Sequence, residues 1–176
     1  MDRIQELQHF VCPKWEDLPK QSLFSKEVIQ YINQELAPLL IDSKGLTVTM
    51  IQNYSKWGVM PKIEGRKYSR QHIAVLITIV LYKQVLNIES VHQGMALQLR
   101  MMPLEEAYNI LAESITQSIQ SIFQNFDNQP GLILPQQAIN PKAEGISVIS
   151  TALALKILGT LIIDLKGFDH LGDENE

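Results

Sequence analysis

Apolar residues recur at three- and four-residue intervals along most of this chain, a spacing that predicts helices. Val28, Ile29, Ile32, Leu36 and Leu39 or Leu40 mark a first amphipathic helix, with Ser25 as its expected N-cap and Pro38 disturbing or closing it. Gly45 then supplies a turn, and Thr47 or Thr49 can cap a second helix. In that helix Met50, Ile51, Tyr54 and Trp57 fall near one side, and Gln52, Asn53 and Lys56 toward the other. Ser69 can cap a third, RQHIAVLITIVLYKQVL, in which Ile73, Leu76, Ile77, Val80 and Leu81 form a broad stripe. Val75 and Ile79 make it apolar nearly all round; β-branching lets a strand compete there, but the pattern continues to Leu86 and favours helix. After Asn87 comes a fourth helix with Ile88, Val91 and Met95 facing inward.

The second half changes character. Pro103 opens a long helix whose seam runs through Leu104, Ala107, Tyr108, Leu111, Ile115, Ile119, Ile122 and Phe126, with Glu105 and Glu106 suited to the first turn. Residues 127–144 carry Pro130, Pro135 and Pro141 and read as a connector with an apolar patch, GLILP. The last helix, from about residue 145 to 165, is too apolar to stand exposed. The long helix, the first half or a second subunit must cover it. Between the second and third helices, GVMPKIEGRKYS predicts a small hairpin anchored by Ile63 and Tyr68, with Lys62, Glu64, Arg66 and Lys67 exposed. At the start, Pro13 and Pro19 give residues 1–21 the look of a short helix and an irregular lead-in, with Trp15 as a packing anchor. The closing GDENE reads as a frayed acidic tail. The expected fold class is all-α: an N-terminal arm (1–21), a helix-turn-helix domain with a wing (22–102) and a helical, dimerising C-terminal region (103–176).

Charge changes this picture most. The 176 residues carry a formal charge of -4, yet residues 44–70 hold six Lys or Arg (Lys44, Lys56, Lys62, Arg66, Lys67 and Arg70) against one acid, Glu64. A short basic segment on an acidic protein is a candidate docking surface for a polyanion, although a solvated face would use the same residue types. Amides on the second helix can pair with adenine edges, and lysine with guanine or phosphate. Cations on an anchored wing can hold phosphates without reading sequence. The candidate DNA-binding residues are therefore Thr49, Gln52, Asn53, Lys56, Lys62, Arg66, Lys67 and Arg70.

Other chemistry finds little support. Cys12 is the single cysteine, and His9, His72, His92 and His170 are widely separated, without HExxH or zinc-finger spacing. Glu105 and Glu106 are adjacent and cannot face each other across a substrate. The expectation is no catalytic residue, no metal, no cofactor and no enzyme. The N-terminus lacks a signal-peptide pattern, and residues 146–163 are at the short edge for a membrane span with Lys156 in their middle. A cytoplasmic protein without a membrane partner is expected. Its 45% hydrophobic content suffices for one good core or two small ones.

Two resemblances meet at residues 45–100. Thr49 to Tyr54, the turn GVMP, Arg66 and Lys67, KYSRQHIAVL and LNIESV together resemble the MerR-type winged-helix DNA-binding domains. Those domains run helix-turn-helix, wing, a helix opened by tyrosine-serine, then a shorter helix with an isoleucine-glutamate start. The stretch LTVTMIQNYSKWGVMPKIEGRKYSRQHIAVL also looks like the core of a bacterial family catalogued as domain of unknown function 1836, which brings no assigned activity. The MerR-like resemblance implies a homodimeric, sequence-specific, duplex DNA-binding transcriptional regulator with a MerR-like winged helix-turn-helix. It departs from that pattern in the longer, proline-containing interval LAPLLIDSKG and in Asn53, where an arginine commonly precedes the tyrosine. A small-molecule effector is compatible with the second half, where Tyr108 and Phe126 are candidate lining residues. The alternative is a protein-interaction module that keeps the winged-helix-like core but binds a partner through GLILP and the last helix rather than DNA.

Overall fold

Asn33 shows how the first helices are joined. Its side chain accepts a hydrogen bond from the Leu46 N–H at 2.6 Å and donates to the Leu46 carbonyl at 3.0 Å, fixing the turn that brings the chain into the next helix. Gly45 permits this approach, because its φ of 74° suits glycine and a Cβ there would collide with the Asn33 amide. The computed structural model describes residues 3–41, 43–124, 139 and 141–165. Among them are seven α-helices: α1 (Arg3–Gln8), α2 (Ser25–Glu35), α3 (Val48–Lys56), α4 (Arg70–Tyr82), α5 (Ile88–Met101), α6 (Leu104–Phe123) and α7 (Glu144–Asp164). Two-residue strands β1 (Leu23–Phe24) and β2 (Lys67–Tyr68) form one antiparallel pair, with Leu23 opposite Tyr68 and Phe24 opposite Lys67. The protein is mostly helical, as the periodicity predicts.

Local details refine the expectations. Thr47, not Thr49, caps α3, its side chain accepting the Met50 N–H at 3.3 Å. Ser25 is the first residue of α2 rather than its cap; Glu27 instead reaches back to accept the Phe24 N–H at 2.7 Å. Pro38 sits in a single tight turn, Ala37–Leu39, just beyond the end of α2. The expected hairpin within residues 59–68 does not form as a self-paired unit. Pro61 has no N–H to give a ladder, and the strand after the loop pairs with β1 from before α2.

The buried side chains form one continuous cluster from Leu7 through α4 to Leu161. The N-terminal residues are laced along α6. Gln8 Nε2 donates to the Phe123 carbonyl, Gln120 Nε2 to the Phe10 carbonyl, and the Tyr108 hydroxyl to the Pro13 carbonyl. The Cys12 N–H reaches Thr116 Oγ1, and the Trp15 N–H reaches Asn109 Oδ1. Trp15 is half-buried and meets Tyr108 edge-on at 6.3 Å, as a packing anchor should. The long helix and α7 pack against each other, and α4 touches both. Phe126, most of the 127–144 connector with its GLILP patch, and the GDENE tail lie outside the described residues.

Candidate nucleic-acid interface

The apolar positions of α3 decide which side of it faces water. Ile51 and Tyr54 are buried, while Thr49, Gln52, Ser55 and Lys56 are exposed and Asn53 is half-buried. Thr49, Gln52 and Lys56 follow the three- and four-residue spacing that aligns side chains on one helix face. Gly58, at φ 69°, ends the helix by turning the chain, and the Val59 N–H closes the turn on the Tyr54 carbonyl at 3.0 Å. Trp57 differs from expectation. It falls just past α3, with 53% of its surface exposed and its ring 6.3 Å from that of Tyr54, so it belongs to the surface rather than to the buried back.

The basic loop that follows is held by its backbone. His72, buried in the first turn of α4, accepts the Ser69 N–H through Nδ1 at 3.1 Å, which leaves the ring proton on Nε2. Nε2 lies 3.1 Å from the Lys62 carbonyl and donates to it. One imidazole therefore ties the start of the loop to the cap of α4, and the edge of the Tyr68 ring packs on it at 5.9 Å. Sequence reasoning missed this role, although Ser69-x-x-His72 has the spacing of a capping box. With the backbone clamped and Ile63 and Tyr68 packed inward, Lys62, Arg66 and Lys67 remain exposed.

Two of the eight candidates are engaged by aromatic rings. Lys67 Nζ stands 4.8 Å above the Phe24 ring yet stays exposed. Arg70 is half-buried, with its guanidinium 5.8 Å from the Trp15 ring and its Nε enclosed without a hydrogen-bond partner. It is therefore less available to a ligand than Lys62, Arg66 or Lys67. Lys83 Nζ, 5.6 Å over the Tyr54 ring from the end of α4, adds a cation behind α3 that the sequence pattern did not single out.

Among the described residues no group of three or more His, Cys, Asp or Glu side chains could hold a metal ion. Burial, aided by Glu35, pushes the Cys12 thiol up to about 12, so the sulfur is held as an unreactive thiol.

Residues 13–111 match the family described as Domain of unknown function (DUF1836). The chain belongs to that family. The match starts in the N-terminal lead-in, covers the α3 face and the clamped loop, and ends inside α6. No curated protein and no solved structure matches the chain.

Proposed function

We propose that this member of the domain of unknown function 1836 family is a non-enzymatic, cytoplasmic regulator that binds duplex DNA sequence-specifically as a homodimer. The observation that carries the reading is the polar outer face of α3, set on a buried apolar back and followed by a basic loop whose backbone His72 clamps. Nine helical residues span about 13 Å, and the major groove, about 12 Å wide, admits such a helix. Thr49, Gln52, Asn53 and Lys56 are assigned to base edges, and Lys62, Arg66 and Lys67 to phosphates. Arg70 is assigned to holding the arm through Trp15, with phosphate contact secondary.

The order of elements supports a MerR-like winged helix-turn-helix. Helices α2 and α3, the loop, α4 after Tyr68-Ser69 and α5 opening on Ile88-Glu89 follow in that sequence, although α5 is no shorter than α4. The homodimer reading draws on α7, where Val148, Leu155 and Ile163 are exposed. A groove of about 700 Å³ runs between α6 and α7 beside Val148 and Leu155. The helix is also long and apolar enough to cross a membrane, but it lies against α6 and its Lys156 donates to the Gln84 carbonyl at 2.9 Å, which favours a helix that serves protein packing.

A second reading, a protein-interaction module, draws on Leu97, Leu99 and Met101, which stand exposed on α5. Selection from a random duplex pool separates the two. Gln52→Ala and Asn53→Ala should each change the selected sequence; recovery of the wild-type preference by both variants would remove groove reading by α3.

A further inference from the structure

Along α7, Gly145, Val148, Ala152, Leu155, Gly159 and Ile162 fall at alternating three- and four-residue steps, so they share one side of the helix. Ile146, Leu153, Ile157 and Leu161, on the opposite side, are buried in the core. The strip itself is open: Val148 is 54% and Leu155 37% exposed, Gly145 is exposed, and Ala152, Gly159 and Ile162 are half-buried. None of its six residues is polar or charged.

Size alternates along this strip. One residue of each heptad is small (Gly145, Ala152, Gly159) and another is large and branched (Val148, Leu155, Ile162). Gly159 is the informative position. It lies in the helix interior without a positive φ, where glycine is less stable than alanine. A Cβ there would meet nothing within 4 Å among the described residues. Neither the backbone conformation nor these neighbours call for glycine, whereas close approach of a second helix does.

We propose that α7 of a second copy of this chain lies antiparallel along the strip, on a two-fold axis level with Leu153 and Ala154, each large side chain seated on a small residue of the partner. This rests on the homodimer reading and adds its surface and geometry. In that one register Gly145 meets Ile162, Val148 meets Gly159 and Ala152 meets Leu155, each pair occurring twice, so every layer holds one large and one small residue. A slip of one heptad loses the outer layers. In-register parallel pairing sets glycine on glycine and leucine on leucine, leaving gaps in three layers and crowding the other three. The strip, about 26 Å long and about 10 Å wide, gives about 500 Å² over two copies, half of the about 1,000 Å² that a specific interface needs. The groove between α6 and α7 supplies more: Val148, Ala152 and Leu155 line it on one side, and Ile110, Gln117 and Ile122 of α6 on the other.

Disulfide trapping in the full-length protein, with light scattering on dilution beside it, tests this. Val148→Cys and Gly159→Cys are made as separate proteins, and Cys12, being buried, stays out of the reaction. Oxidation should join them into a dimer when they are mixed and leave each alone almost uncrosslinked, because like positions lie about 16 Å apart along the antiparallel pair. Gly159→Leu should weaken self-association about tenfold or more by crowding two layers at once, and should still fold, since its side chain enters open space. Gly94→Leu, at an exposed glycine of α5 that is equally unobstructed, should leave self-association unchanged. Leu155→Glu is a second disruptor and keeps the test decisive if a Gly159 variant fails to fold. Crosslinking of either cysteine variant alone as strong as in the mixture, or equal weakening by Gly94→Leu, would overturn the proposal. A wild-type dimer whose mixed variants do not crosslink meets through another surface, so the proposal falls and the homodimer reading stands. A wild-type protein that stays monomeric at its highest soluble concentration would overturn both.

Discussion

The helices α4 and α7 are both apolar, yet the protein uses them in opposite ways. Ten of the 13 residues of α4 are buried, with α2, β2, α5, α6 and α7 all packed against it. Only seven of the 21 residues of α7 are buried, and Ile163 is 77% exposed. Hydrophobic composition thus identifies helices that need covering without saying whether their own chain covers them. The central helix is satisfied internally, whereas α7 keeps Val148, Leu155 and Ile163 exposed.

The sharpest way to break this comparison is to truncate one residue on each helix. Leu76→Ala, at a fully buried position of α4, should cost about 2–5 kcal/mol in urea unfolding. Leu155→Ala, at a partly exposed position of α7, should change the stability of the isolated subunit by about 0.5 kcal/mol or less. In the homodimer reading it weakens self-association instead, measured as a lower mass in light scattering on dilution. Equal unfolding costs at the two positions would erase the distinction between a covered helix and an open one.

A second contrast sets apolar packing against the hydrogen-bonded clamp at the loop. His72→Ala removes the acceptor for the Ser69 N–H and the donor to the Lys62 carbonyl, and should destabilise by about 1–3 kcal/mol. His72→Gln should recover part of that loss. If Gln restores nothing, ring packing against Tyr68 rather than hydrogen bonding holds the loop.

A smaller, whole-molecule effect appears at alkaline pH. Burial raises the Cys12 thiol from 9.0 to about 12 and the half-buried Tyr31 phenol from 10.0 to about 12; Tyr82 and Tyr108 are also shifted upward by burial. The folded state therefore holds these protons more tightly than the unfolded chain does. Their stabilising contribution is complete below about pH 9 and is lost as pH rises from 9 toward 12. Urea midpoints should be insensitive to these groups from pH 7 to 8.5 and fall above pH 9, and Cys12→Ala should make the fall shallower. An equally steep fall in that variant would remove Cys12 from the cause.

Much of the helical layout was legible because long apolar periods survive without tertiary information. The expected helices at residues 70–86, 88–99 and 104–126 correspond to α4, α5 and α6 within a few residues at each end. The two-residue strands were not legible, since a period of two needs more residues to declare itself, and Leu23 finds Tyr68 only through folding. The lacing of residues 8–15 onto α6 was hidden for the same reason, as its hydrogen bonds join residues about 100 positions apart. At the candidate interface, the α3 amides and loop cations stood out by type and spacing. The exposure of Trp57 did not: its backbone still follows the helix, with its N–H on the Asn53 carbonyl at 2.9 Å, so spacing places it with Tyr54, yet at the helix end its ring stays at the surface.

The central claim is that the clamped basic loop holds DNA phosphates. Fluorescence anisotropy with labelled duplex fragments, recorded across a series of salt concentrations, measures it directly in the wild-type protein and in Arg66→Ala/Lys67→Ala. The account predicts weaker binding to every fragment by the variant and a log–log salt dependence shallower by about two, one phosphate for each lost cation. The melting curve should be little changed, since both side chains are exposed. An unchanged slope in the folded variant, or no duplex binding by the wild-type protein at low salt, would contradict it.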